Sequence, residues 1–270
     1  MSSALAAIVI DLDPNVFRVG GFLITWRGIF SVIGILATIR LGQVLIRKDG
    51  VRGDQVWDLA GWMVLIGLVG ARVLYIWENY QQFVGRWEHV FFVSEGGISQ
   101  WGGLFGAMVG ALWWSARHKV SFWRILDAAG PGAMLGLAIG RIGDIINGEH
   151  HATATNLPWA VEYVNPNTLG ERYLPVHPEV AYELIWCLLL LAVLLPFHGR
   201  LRRALPPGVV GLIYLGLYAF GRFWLSYVRI NSLVFGLRQA QWASLLMVAI
   251  AVVGIPLLLR RRRAAATVPA

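Results

Sequence analysis

Seven long apolar runs, joined by short connections that hold most of the basic side chains, constrain this 270-residue chain more than any other feature. A helix needs about 20 apolar residues to cross roughly 30 Å of hydrocarbon, and there every backbone N–H and C=O must be bonded internally. The runs fall near 22–46, 55–77, 101–116, 125–146, 180–197, 208–228 and 240–259. The third is short, and glycines and prolines interrupt its neighbour, so these two have room to bend or to be partly re-entrant. Only 14% of the residues are charged, against roughly a quarter in an ordinary soluble domain. The expected fold is an all-α polytopic membrane protein of about seven transmembrane helices. With no repeat at solenoid spacing, residues 1–270 read as a single membrane domain with a small extracytoplasmic cap at roughly 147–179.

The net charge of +8 is a matter of topology. The basic residues form short clusters between apolar runs, not a groove interleaved with aromatics, so nucleic acid is not an expected partner. Arg47, Lys48 and Arg52 follow the first run, Arg117, Lys119 and Arg124 the third, Arg200, Arg202 and Arg203 the fifth, and Arg260 to Arg263 the last. The positive-inside rule places those loops in the cytoplasm of a bacterial plasma (inner) membrane, with the N-terminus outside and the C-terminus inside. The connections at roughly 78–100 and 147–179 then face outward, and a site would open on that side. The first residues lack the basic start of a secretory signal, so no cleavable leader is expected. The single cysteine, Cys187, sits in an apolar run and reads as a buried structural thiol.

Charged groups inside the runs cost about 2.5–3.5 kcal/mol each at mid-span, so they are expected in pairs, in wet cavities or near an interface. Arg27 and Arg72 lie near the outer ends of the first two runs. The densest group is Gly140-Arg141-Ile142-Gly143-Asp144-Ile145-Ile146-Asn147-Gly148-Glu149-His150-His151, where the fourth run reaches the outer surface. Helical spacing puts Arg141, Asp144 and Asn147 on one stripe. The planar fork of Arg141 suits a phosphate such as a lipid headgroup, and Glu149, His150 and His151 add possible proton acceptors. No metal is expected, because neither His-Glu-x-x-His nor Cys-x-x-Cys spacing occurs, and no phosphate-binding or dinucleotide fingerprint points to a cofactor.

The stretch 140–149, followed by Leu157-Pro158-Trp159, resembles the motif of the bacterial prolipoprotein diacylglyceryl transferases. Further pieces occur in that family's order: Gly70-Ala71-Arg72 with Tyr75; Glu95-Gly96-Gly97-Ile98 with Gly102-Gly103-Leu104; His177-Pro178-Glu179 with Tyr182-Glu183; and Tyr218 with Arg222-Phe223 and Arg229, then Ala240-Gln241 and Ser244. The resemblance spans about 14–250. It implies transfer of a diacylglyceryl group from phosphatidylglycerol to the lipobox cysteine thiol in the signal peptide of a prolipoprotein, without metal or cofactor. It further implies that Arg141 and Arg222 hold the headgroup and steady the leaving phosphate, while Asn147 and Glu149 organise the site. The expected catalytic set is Arg141, Glu149, Arg222, His150 and His151. The expected substrate-binding set is Arg27, Arg72, Gly102, Gly103, Asp144, Asn147 and Tyr218.

Five positions depart from the family pattern. Arg27 stands for a Tyr, Trp101 for a His, Asp144 for an Asn, Ala152 for a Gly, and Ser226 for a Glu. Trp101 matters most for chemistry, because indole donates a proton but cannot accept one. Arg27 and Asp144 introduce opposite charges and are expected to compensate as a pair, with His150 or His151 supplying the base. The alternative is a phospholipid-binding membrane protein on the same scaffold, non-catalytic or altered in substrate.

Overall fold

The computed structural model describes residues 7–85, 97, 99–148 and 151–266, the side chains of 263–266 excepted. In chain order the elements are β1 (Ile8–Ile10), β2 (Asn15–Val19), β3 (Phe22–Thr25), α1 (Trp26–Ile46), α2 (Gly53–Glu78), α3 (Tyr80–Phe83), α4 (Gln100–His118) and α5 (Phe122–Asn147). They continue with β4 (Val161–Tyr163), α6 (Glu179–Leu194), α7 (His198–Ala204), α8 (Val209–Leu225), β5 (Leu233–Val234), β6 (Leu237–Arg238) and α9 (Gln239–Ala266). Among the described residues six helical stretches are long and apolar enough to cross a membrane: Trp26–Asp49, Gly53–Glu78, Phe122–Asn147, Glu179–Ala204, Val209–Val228 and Gln239–Arg262. The expected seventh, near 101–116, is the helix α4, but its 19 residues end on Arg117 and His118 and it is not among the six. The architecture is therefore mainly helical and polytopic, and the count of seven is not confirmed.

The chain packs as two compact units, one of Met1–Leu41 with Leu126–Ala270 and the other Gly42–Ile125. The second unit is built on α2 and α4. Gly102 and Gly106 let the backbones touch, since a Cβ on either would strike the carbonyl of Gly70 or Ile66. Trp114 is fully buried and donates from Nε1 to Asp58 Oδ2 at 2.6 Å, while its ring stacks on His118 at 4.1 Å.

In the first unit α8 is central. Met134 and Ala138 of α5, Cys187, Leu190 and Leu191 of α6, and Val210 and Tyr214 of α8 form one core cluster. Val209 and Leu212 pack on Ala251 and Leu258 of α9 to form a second. Cys187 is fully buried, as its apolar setting led one to expect. Near the start of α8, buried Asp127 of α5 accepts from the backbone N–H of Gly208 at 2.9 Å and of Gly211 at 2.8 Å. A side chain from a neighbouring helix thus caps α8, meeting donors that have no intrahelical partner. Asp127→Ala leaves two buried donors unmet, at about 1–3 kcal/mol each. We expect a lower thermal unfolding midpoint in detergent, with Asp127→Asn, which keeps one acceptor oxygen, losing less.

The strands lie around the end of this unit where α5 finishes and α6 begins, and were not anticipated from the sequence. β1 pairs in parallel with β4, so residues 8–10 and 161–163 tie the N-terminus to the cap. β2 with β3, and β5 with β6, form two-stranded antiparallel hairpins. The cap joins the end of α8 through Thr153 N–H to Val228 O at 2.9 Å and Ile230 N–H to His151 O at 2.9 Å. α5 stops at Gly148, whose φ of +66° closes the helix and whose missing Cβ makes room for the Thr168 hydroxyl. Tyr163 of β4 donates from its hydroxyl to Ile145 O at 2.8 Å, fixing the cap on α5. Burial pushes that phenol up to about 12, so it keeps its donor proton across the physiological range.

Candidate active site

Three helices of the first unit bring a group of charges together beneath the cap. Arg141 and Asp144 lie three residues apart near the end of α5, with Arg141 about 9 Å below Asn147 by helical rise. Glu179 and Glu183 are four apart in the first turns of α6, and Tyr218 and Arg222 four apart in the last turns of α8. These spacings place each pair on one face, and the core clusters below hold the three faces together.

Glu183 is the hub. Its Oε1 accepts from Arg141 Nη2 at 2.9 Å and from the Tyr218 hydroxyl at 2.7 Å, while Oε2 lies 3.4 Å from Arg222 Nη1. Arg222 also donates to Glu179 Oε1. Arg141 Nη1 donates to Asp144 Oδ2 at 2.5 Å, and Arg27 Nε at the start of α1 lies 3.3 Å from Asp144 Oδ1. The side chain of Glu183 is 1% exposed, that of Arg222 10% and that of Arg141 16%, whereas Arg27 is 45% exposed. The charges therefore grade from a buried bridge on α6 and α8 to a wetter end on α1.

Three arginines, 27, 141 and 222, face three carboxylates, 144, 179 and 183. Arg229, just beyond α8, adds a fourth positive charge: burial lowers its pKa from the ordinary arginine value, and attraction to Glu179 opposes that. Replacing a buried ion-pair group by well-packed apolar residues is often neutral or stabilising, so stability alone is a weak reason for so many charges here. Among the described residues no group of His, Cys, Asp and Glu is placed to hold a metal ion.

The structure brings together Arg27, Arg141, Asp144, Tyr218 and Arg222 from the expected set. The compensating pair of Arg27 and Asp144 forms as expected from their opposite charges. Asn147 is buried beside this group, its carbonyl accepting from Leu169 N–H at 3.1 Å. His151 is exposed and lines a water-sized cavity with Gly148, Tyr163 and Glu171. Glu149 and His150, together with Glu95, Gly96 and Ile98, lie outside the described residues.

Arg72, Gly102 and Gly103 belong to the second unit. Arg72 donates to Gly97 O at 2.9 Å and lies 5.7 and 5.6 Å from the Tyr75 and Phe83 ring centres. Gly102 packs on the α2 backbone, whereas a Cβ on Gly103 would meet Ala71 only at ordinary contact distance. Trp101 sits in the first turn of α4, half-buried.

Glu179 and Glu183 were legible only as motif letters and were not expected as site members. The available signal was two carboxylates one helical turn apart at the head of an apolar run, where ionised groups are costly. Their neighbours Trp159, His177 and Tyr182 also meet: Trp159 Nε1 donates to the Tyr182 hydroxyl at 2.8 Å, which lies 3.3 Å from His177 Nδ1.

Comparison with known proteins gives this constellation a context. Residues 14–257 match the family model described as prolipoprotein diacylglyceryl transferase. A protein of Synechocystis sp. named phosphatidylglycerol–prolipoprotein diacylglyceryl transferase is 34% identical over 248 residues, covering 90% of this chain and 88% of its own. Similarly named proteins of Gloeobacter violaceus and Streptomyces coelicolor are each 35% identical, covering 92% and 94% of this chain and 93% and 73% of their own.

Proposed function

The chain belongs to the prolipoprotein diacylglyceryl transferase family, and we propose on that premise that it moves a diacylglyceryl group from phosphatidylglycerol to the lipobox cysteine of a prolipoprotein. The observation that carries this reading is the buried Glu183 bridge, which holds Arg141 and Arg222 at fixed spacing within one polar site. Two oriented guanidinium groups in a low-dielectric setting suit a phosphate on which charge builds up.

In the reaction the cysteine thiol gives up its proton and the sulfur attacks the glyceryl carbon that carries the phosphate ester. The carbon–sulfur bond forms as the carbon–oxygen bond breaks, and its electron pair leaves on glycerol phosphate, which gains one negative charge. Arg141 and Arg222 stabilise that charge, and Asp144, Glu179 and Glu183 hold them in place. The proposed proton acceptor lies among Glu149, His150 and His151, which follow Arg141 and Asp144 in the chain, and Trp101 has no part in accepting the proton. The basic ends of the helices face the cytoplasm and the arginine cluster opens outward, so lipid and signal peptide arrive laterally from the outer leaflet.

Expression in a bacterium depleted of its own transferase tests this reading. Rescue of growth, with prolipoprotein gaining the mass of one diacylglyceryl group, is the expected result. Unmodified prolipoprotein at normal expression of the chain would favour a lipid-binding role on the same scaffold.

A further inference from the structure

We propose that the two hairpins, β2–β3 and β5–β6, are shallow membrane anchors that insert their apolar tips into the outer-leaflet lipid surface. Each hairpin is an isolated two-stranded sheet that leads straight into a membrane-crossing helix, β3 into α1 at Trp26 and β6 into α9 at Gln239. Each carries exposed apolar side chains at its turn: Val19 and Phe22, 79% exposed, on the first, and Val234 and Phe235, 93% exposed, on the second. Phe235 also takes a φ of +49°, a costly conformation for an aromatic residue, which holds the ring outward at the tip.

Two-stranded hairpins are marginal in water, and apolar tips of this kind need a covering surface. The bilayer is that surface, for three reasons. Trp26, Trp224, Tyr227 and Trp242 stand at the ends of α1, α8 and α9, where a belt of amphipathic rings marks the headgroup level. Trp242 Nε1 donates to Val234 O at 2.8 Å and Trp26 N–H to Pro14 O at 3.0 Å, so both hairpins are tied to that level. Residues 14–26 and 230–239 each contain one arginine outside the helices, Arg18 or Arg238, and no acid, a charge pattern that suits an anionic leaflet. The outer strand edges keep unpaired backbone groups, which limits insertion to the interface. The anchors would hold the cap against the leaflet, and this inference stands apart from the transfer chemistry.

Cys187 is fully buried, so an introduced cysteine can be labelled selectively. Phe22→Cys, Phe235→Cys and the cap control Asn167→Cys would each carry a nitroxide in the full-length protein, in nanodiscs of phosphatidylglycerol and phosphatidylcholine. At both tips, collision with oxygen should exceed collision with a water-soluble nickel chelate by several-fold more than at Asn167. Val19→Cys repeats the reading should a Phe variant fail to fold. Nickel access equal to that at Asn167 would overturn the proposal, as would spin–spin broadening from a second copy or protection that appears only when a signal peptide is added.

Discussion

Arg141→Ala should lower turnover by about 10²–10³-fold, the loss seen when one group that stabilises a developing oxyanion is removed from a preorganised site. The variant should still fold, because each carboxylate that Arg141 leaves keeps another arginine: Asp144 retains Arg27, and Glu183 retains Arg222. Arg141→Lys restores the charge but not the planar fork that reaches Asp144 and Glu183 together. It should recover part of the rate. Because the added charge appears only as the carbon–oxygen bond breaks, the loss should fall on kcat more than on KM. A loss confined to KM would instead mark Arg141 as a ground-state headgroup contact.

Glu183→Ala should have the opposite balance and strike the fold first. Among the described residues Glu183 alone bridges Arg141 and Arg222, and it also accepts a hydrogen bond from the Tyr218 hydroxyl, so its removal takes one partner from each arginine and leaves a buried hydroxyl without its acceptor. Breaking a buried ion pair from one side typically costs about 3–5 kcal/mol. The expected outcome is a large drop in the thermal midpoint in detergent, with poor recovery from membranes. Glu183→Gln keeps the volume and one acceptor oxygen, so it should fold better than the alanine variant while remaining impaired in transfer. Equal midpoints for wild type and Glu183→Ala would remove Glu183 from its place as the hub.

The sequence carried the membrane class because hydrocarbon imposes one rule on every span, an unbroken apolar helix. It carried α5 with its terminal Arg141 and Asp144 for a similar reason, since local helical spacing settles that geometry. Opposite charge at Arg27 and Asp144 was enough to anticipate a pair that crosses from α1 to α5. The β1–β4 pairing was hidden because three-residue strands separated by about 150 positions leave no periodic trace. Glu183 escaped for a different reason: its role depends on the rotational setting of α6 against α5 and α8, which packing decides. The status of α4 shows the limit of an apolar count, because glycines serving contact with α2 and a charged last turn shorten its hydrophobic stretch.

The most direct test of the proposed chemistry is a single-turnover reaction of the purified protein in nanodiscs, with labelled phosphatidylglycerol and a lipobox peptide. Thioether-linked diacylglyceryl peptide and glycerol phosphate should appear together in equal amounts, with neither formed when the peptide cysteine is replaced by serine. Glycerol phosphate released without modified peptide, or bound phosphatidylglycerol left intact beside an accessible thiol, would contradict the assignment of the arginine cluster as a transferase site.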